Sequence, residues 1–173
     1  MEKPVVIENY NPNWSKEYEQ EKEKIMGVLK ENYIYIEHIG STSVTGLGAK
    51  PILDIMVGVN NLDEVDKFIE PLKQIGYEFV SHKEFPERRF FRRGLWGAGT
   101  HHLHIYKFGS GHWNNNILFR NYLRTHSDVL KQYHQLKKDL AVKHYLERAR
   151  YTQAKEPFIQ NVLEKAKEEQ KNK

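Results

Sequence analysis

Apolar positions along the chain change period twice. Trp14, Tyr18, Ile25 and Leu29 recur at helical spacing behind the start signal Asn11-Pro12, which predicts a first amphipathic helix. "YIYIEHI" (Tyr33 to Ile39) then alternates and is rich in aromatic and β-branched residues, the pattern of a strand. "PILDIMVGV" (Pro51 to Val59) is a nearly continuous apolar run, suited to a strand covered on both faces and expected to lie beside the first. A helix is predicted after Asn60-Asn61, with Leu62, Val65, Ile69 and Leu72 on one face, Asp63 and Glu64 in its first turn, Pro71 as an irregularity and Gly76 as its stop.

"YEFVS" (Tyr77 to Ser81), "RRFFRRGL" (Arg88 to Leu95) and "HHLHIYKF" (His101 to Phe108) read as three further short strands. From Gly111 the period is helical again. Ile117, Leu118, Tyr122 and Leu123 make one stripe; Val129, Tyr133, Leu136, Leu140 and Tyr145 make a second behind Ser127; Phe158, Ile159, Val162 and Leu163 make a third. The expected architecture is α+β, a small mixed β-sheet flanked by helices within about residues 1–110 and a helical C-terminal third over about 111–173. A single domain over 1–173 is expected, since the pattern contains no internal repeat and no linker.

Composition narrows the chemistry. No apolar run reaches the length of a membrane span, and Met1 to Tyr10 lacks a secretory leader pattern, so a soluble, cytoplasmic protein without a membrane partner is expected. The chain has no cysteine, which removes disulfides, thiolate metal sites and cysteine nucleophiles; any metal must be held by histidine, carboxylate or water. The net charge of +4, from 27 Lys+Arg against 23 Asp+Glu, favours anionic partners. There is no dense basic stripe, and runs such as "KEYEQEKEK" (Lys16 to Lys24) read as solvated helix faces, so nucleic acid is not the expected partner. Oligomeric state is not legible in the pattern.

The densest chemistry lies in "IEHIGSTSVTGLGAKPILDIM" (Ile36 to Met56). It is not a Walker loop, because Gly48-Ala49-Lys50-Pro51 lacks the Gly-Lys-Ser/Thr ending, and the spacing of Gly46 and Gly48 does not complete a dinucleotide fingerprint. A strand ending at Gly40 would leave Ser41, Thr42 and Ser43 at the start of a short helical turn, where backbone N–H groups and hydroxyls can hold an anion. The alternative is a tight turn with a hydroxyl cap. On the following strand Ile52, Asp54 and Met56 share one face, and Asp54 is the only charge in the run. A carboxylate there must ligate a cation, pair with a base such as Lys50 or one of Arg88 to Arg93, or reach water.

A Gly-Ser pair closing one strand, with an aspartate in an apolar strand shortly after, resembles the nucleotidyltransferase superfamily. Together with "RRFFRR", "HLHIY", "LFRNYLRTH" and "YTQAKEPFI", the stretch is similar to the GrpB-like family within that superfamily, over about Val5 to Ala166. The resemblance implies that Gly40 and Ser41 grip a triphosphate and that Asp54 helps to hold a divalent cation, Mg²⁺ or Mn²⁺ in the first instance. Active superfamily members carry a second acid two residues on and a third on a neighbouring strand. Here the second position is Met56, and the neighbouring strand offers His102 and His104; one acid with a His-Leu-His run is implied as a trait of the family itself.

His102 and His104 project to the same side, about 7 Å apart at about 3.3 Å per residue, and two imidazoles can converge from there on one ion. Asp54 completes a set of two histidines and one carboxylate, which also suits Zn²⁺ or another transition metal; the alternative is hydrogen-bonded structural histidines. Asp54 and His104 are the candidate catalytic pair. Gly40, Ser41, Thr42, Ser43 and Lys50 are candidate contacts to a nucleotide or another phosphorylated small molecule, with Arg89 and Arg92 as a possible clamp in "ERRFFRR" (Glu87 to Arg93). Arg89 and Arg92 fall on opposite faces of an ideal strand, and the cluster reads equally well as a charged edge strand. His38 is a weaker base candidate that alternation turns toward the core; Tyr151, Arg120 and Lys155 fit packing and pairing, with Lys155 an outside candidate for phosphate.

Three functions remain open on the sequence. The first is nucleotidyl transfer to a small molecule. The second is a catalytically inactive nucleotide-binding or sensor module that lacks the second metal carboxylate, and the third and weakest is RNA binding through the arginine cluster.

Overall fold

The computed structural model describes residues 3–95 and 97–173; of the expected domain span 1–173, positions 1, 2 and 96 lie outside the described residues. Five strands form one mixed sheet: β1 (Tyr35–Ile39), β2 (Leu53–Val59), β3 (Tyr77–Val80), β4 (Arg88–Leu95) and β5 (Ala98–Lys107), in the order β1-β2-β5-β4-β3. β2 and β5 run parallel and every other pair is antiparallel. The helices are α1 (Asn13–Leu29), α2 (Ile69–Gln74), α3 (Gly111–Thr125), α4 (Ser127–Lys143) and α5 (Arg148–Lys171). This is the α+β arrangement, small mixed sheet first and helices last, that the apolar pattern predicts.

Alternation along the strands sorts the sheet into two chemically different faces. On the first, Ile55, Val57, Phe91, Leu103 and Ile105 meet Ile25 and Leu29 of α1 and Leu72 of α2, all fully buried. On the second, Asp54 and Met56 of β2 stand beside His102, His104 and Tyr106 of β5 and Arg88, Phe90 and Arg92 of β4. One end of the second face is closed apolarly, by Trp113 and Ile117 of α3 against Ile39, Met56 and Tyr106. The closeness of that seal depends on Gly58, where a Cβ would lie 2.9 Å from the Trp113 ring.

The predicted helix after Asn61 is realised in two parts. Leu62–Phe68 winds as a 3₁₀ helix, capped by the Asn61 side chain accepting from the Asp63 N–H, and passes into the short α2, where Pro71 falls in the first turn and its missing N–H costs no ladder bond. The second C-terminal stripe also differs from expectation. Tyr145 lies beyond the end of α4 and is 52% exposed, and the buried positions are Val129, Tyr133, Lys137 and Ala141, spaced by four. The lysine within that series bears on the site below.

One ionic cluster ties α1 to the sheet. Glu21, almost fully buried, accepts from Arg93 Nη1 at 2.7 Å and from the Tyr77 hydroxyl at 3.1 Å. Burial opposes its charge, but Arg93, with His101 and Lys24, outweighs that and holds the carboxyl below its ordinary range. Deleting the carboxylate strands two donors at the face of the core. Glu21→Ala is therefore expected to cost about 2–4 kcal/mol in urea unfolding; a change within about 0.5 kcal/mol would show that the cluster is solvated rather than structural.

Candidate functional site

The site grows from strand register. Parallel pairing sets Asp54 opposite His102 and Met56 opposite His104, and period two turns Asp54, His102 and His104 to the same face. Asp54 Oδ1 is 3.0 Å from His104 Nε2 and 3.5 Å from His102 Nδ1. Burial alone would raise the Asp54 carboxyl, but hydrogen bonds from both imidazoles prevail and hold it far below the usual carboxylate range. The same burial pushes His104 downward. A neutral His104 that donates Nε2–H to Asp54 leaves its buried Nδ1 without a partner.

These donor atoms fit a metal. One ligand atom from each of Asp54, His102 and His104 lies within 4.8 Å of the others, a span on which a single divalent ion can bind with positions left for water or substrate. Met56 occupies the place expected for a second acid and is completely buried under α3, so β2 adds no second carboxylate to the set beside Asp54.

Gly40 makes the close approach of the preceding turn possible. Its φ of +70° suits glycine, and a Cβ there would come within 2.7 Å of Asp54 Oδ2. The chain then makes one 3₁₀ turn, Ser41–Ser43. Its hydroxyls divide their duties: Ser43 Oγ donates to Gly40 O at 2.5 Å, Thr42 Oγ1 bonds His38 Nε2 at 2.9 Å, and Ser41 lines the cleft. The turn is anchored from α3, where Arg124 donates twice to Ser43 O and Arg120 bridges Glu37 and His38 O.

Facing this turn is a cleft of about 300 Å³ whose far wall belongs to the helical third. Lys50 enters from the strand side; Lys137 of α4 and Lys155 of α5 enter from the other, around Tyr151. The Lys50 and Lys155 ammonium groups lie 5.2 and 4.6 Å from the Tyr151 ring centre, and Lys137 lies 4.9 Å from that of Tyr133. Lys137 also donates to Gly48 O. Three lysines share this space, and among its described lining residues the one carboxylate is Asp54, at its edge. Burial, reinforced by the neighbouring lysines, pulls Lys137 down to about 6 and Lys155 down to about 8.

Of the residues singled out in the sequence, Ser41, Thr42, Lys50, Asp54 and His102 line this one cleft, with Gly40 and His104 packed against Asp54. Ser43 is buried in the turn, its hydroxyl spent on Gly40 O. Arg89 falls on the opposite face, bonded to Pro86 O, while Arg92 is on the site face beside Glu78 but lines a neighbouring cleft, as ideal alternation implies for the pair. His38 is buried in the core face, stacked on Tyr18 and lowered to about 4 by burial. Sequence reading missed Lys137. Its signal was present: it lies four residues after Tyr133, on the apolar stripe rather than the solvated face.

The depressed lysines carry a pH signature. Between about 6 and the ordinary lysine value of 10.5, the folded chain binds fewer protons at Lys137 than the unfolded chain, so stability rises with pH across that window and falls as the pH drops toward 6. Lys137→Met is expected to flatten this slope in urea titrations between pH 6.5 and 9.5. An unchanged slope would mean that Lys137 stays charged in the folded state.

Comparison with known proteins bears on family and fold. The family model described as GrpB protein matches residues 4–165. YqkA of Bacillus subtilis is 37% identical over 163 residues, covering 94% of this chain and 47% of that protein, so the chain spans about half of that relative's length. Conserved protein GrpB from Enterococcus faecalis, a crystal structure, superposes with a TM-score of 0.86 at 37% identity, covering 93% of this chain and 96% of that one. A structure of the Cid1 poly(U) polymerase bound to MgATP superposes with a TM-score of 0.55 at 17% identity, over 78% of this chain and 44% of that one, a likeness of fold. No described helix is long and apolar enough to cross a membrane.

Proposed function

The chain belongs to the GrpB family, and from that premise we propose that it binds a nucleoside triphosphate with a divalent cation and transfers a nucleotidyl group to a small acceptor. The observation that carries this reading is the cleft itself: the Ser41-Thr42 turn faces the lysines of α4 and α5 across it, Lys50 joins them, and Asp54 stands at its edge with His102 and, behind it, His104. Burial draws Lys50, Lys137 and Lys155 below their ordinary values, with neighbouring lysines adding to the effect at Lys137 and Lys155, and a bound polyanion would move all three back upward. The nucleotide chemistry of Cid1, whose structure holds MgATP, is consistent with this reading by fold alone.

Asp54, His102 and His104 would hold the cation, Mg²⁺ or Mn²⁺ or, given two imidazoles, Zn²⁺. Bound there, the ion would neutralise phosphate charge and polarise the phosphorus under attack. Lys50 and Lys155 would orient the β- and γ-phosphates and stabilise the pyrophosphate charge as it develops. Gly40 and the anchored turn would keep Ser41 and Thr42 against the same oxygens, with no reorganisation needed when substrate arrives. Met56 supports a second reading, a nucleotide-binding module that keeps the cradle and lacks the chemistry, because active sites of this superfamily place a second carboxylate at that position.

Calorimetry with ATP, GTP, CTP and UTP in the presence of Mg²⁺ or Mn²⁺ is expected to show binding, weakened at least about tenfold by Lys155→Gln. At pH 8 binding is expected to take up protons, read as a heat that depends on the buffer's ionisation enthalpy, since Lys155 titrates near that pH and moves upward beside phosphate. Absence of binding by all four nucleotides would contradict both readings. Binding without pyrophosphate release, in wild type as in Asp54→Asn, would select the module.

The metal set has its own test. Wild-type protein is expected to take up about one Mn²⁺ or Zn²⁺ per chain, and His102→Ala and His104→Ala are each expected to lose about 10- to 100-fold in affinity. Unchanged uptake in both variants would place the ion elsewhere.

A further inference from the structure

A second cleft of about 330 Å³ opens beside the first and shares Ile52 and His102 with it. Its chemistry is different. Ile52, Val80, Phe90 and Leu95 give it apolar walls, and no carboxylate is among its described lining residues. Phe90 stacks on His82, ring centres 5.4 Å apart and planes within 13°, and meets the edge of His102 at 5.2 Å, so three rings follow one another across the floor. Two guanidinium groups border it: Arg92 from β4, 3.6 Å from the exposed Glu78, and Arg148 from the start of α5, whose Nε holds Lys3 O at 3.2 Å.

We propose that this cleft is the acceptor site and that it takes a flat, largely apolar molecule carrying a carboxylate or similar acidic group. The inference rests on the nucleotidyl-transfer reading above. In displacement at phosphorus the entering and leaving oxygens lie roughly in line. A triphosphate tail held by Lys50 and Lys155 puts its α-phosphorus near Asp54 and His102, and the pyrophosphate departs into the lysine cleft. The attacking oxygen must then come from the far side of His102, where the second cleft begins. An oxygen of the acceptor forms the new bond to the α-phosphorus, the bond to the bridging oxygen breaks with its electron pair leaving on pyrophosphate, and a hydroxyl acceptor's proton passes to solvent. The apolar walls and ring floor accept a flat body, and the two guanidinium groups select an acid over a base.

The test uses three probes of one shape, 2-naphthoate, 2-naphthylmethanol and 2-naphthylmethylammonium, followed by amide NMR shifts with and without ATP. The proposal expects 2-naphthoate to bind at least about tenfold more tightly than the alcohol, with the ammonium weakest and the shifts centred on Val80, Leu95 and Gly99. Arg148→Gln is expected to remove the preference for the acid, Arg148→Lys to retain much of it, and Lys155→Gln to weaken ATP while sparing 2-naphthoate. Equal affinity for acid and alcohol, or shifts elsewhere, would overturn the assignment of chemistry. Mutual exclusion of ATP and 2-naphthoate would overturn the acceptor role, since acceptor and nucleotide must bind together. If ATP does not bind wild type while 2-naphthoate does, the nucleotide reading fails and the acceptor role with it, while the acid site stands.

Discussion

The parallel pairing of β2 with β5 is the constraint on which the rest depends. Its register puts Asp54 against His102 and His104, and a slip of one residue between the two strands would leave the carboxylate and the imidazoles on opposite faces. The register is held from both sides of the sheet. Ile55, Val57, Leu103 and Ile105 are locked in the core beneath, while Trp113 packs over Gly58 and Met56 above. Chemistry on one face is thus fixed by packing on the other. The single carboxylate stays ionised in half-buried surroundings because two imidazoles converge on it.

The helical third supplies what the sheet lacks. Sheet and turn alone offer one acid, two histidines and the Ser41-Thr42 turn; α4 and α5 add Lys137, Lys155 and the Tyr151 ring between the cations. Holding three lysines together is electrostatically unfavourable, and the protein accommodates it by burial, by aromatic faces and by the Gly48 carbonyl, with the result that two of them titrate well below their usual range. A cleft prepared in this way is matched to polyanions. α3 contributes differently, through Arg120 and Arg124, which hold the turn by its carbonyls and keep it in place across the cleft from the lysines.

Much of this was legible in the sequence, and the limits are physical. Five strands and the helix-rich end follow from period, and His102 and His104 could be put on one face because alternation needs no knowledge of distant contacts, whereas Asp54 reaches them only through the pairing of β2 with β5. Lys137 could not be recognised as easily: charge in a run such as "HQLKKDL" suggests a solvated face, and only its phase with Val129, Tyr133 and Ala141 betrays that it points inward. Arg89 and Arg92 were correctly divided by alternation, but no local pattern reveals that Arg92 borders a separate cleft shared with α5. Ser43 resembles its neighbours in sequence and differs only because its hydroxyl closes the turn.

The central claim is that the triphosphate of a nucleotide lies between the Ser41-Thr42 turn and the lysines of α4 and α5, with its cation on Asp54. The most direct measurement is a crystal structure with a non-hydrolysable ATP analogue and Mn²⁺, the ion located by its anomalous scattering. The account predicts a manganese peak within coordinating distance of Asp54 and at least one of His102 and His104, and phosphate oxygens in contact with Lys50 and Lys155. A nucleotide bound outside the lysine cleft, or a manganese ion held by other residues, would contradict it.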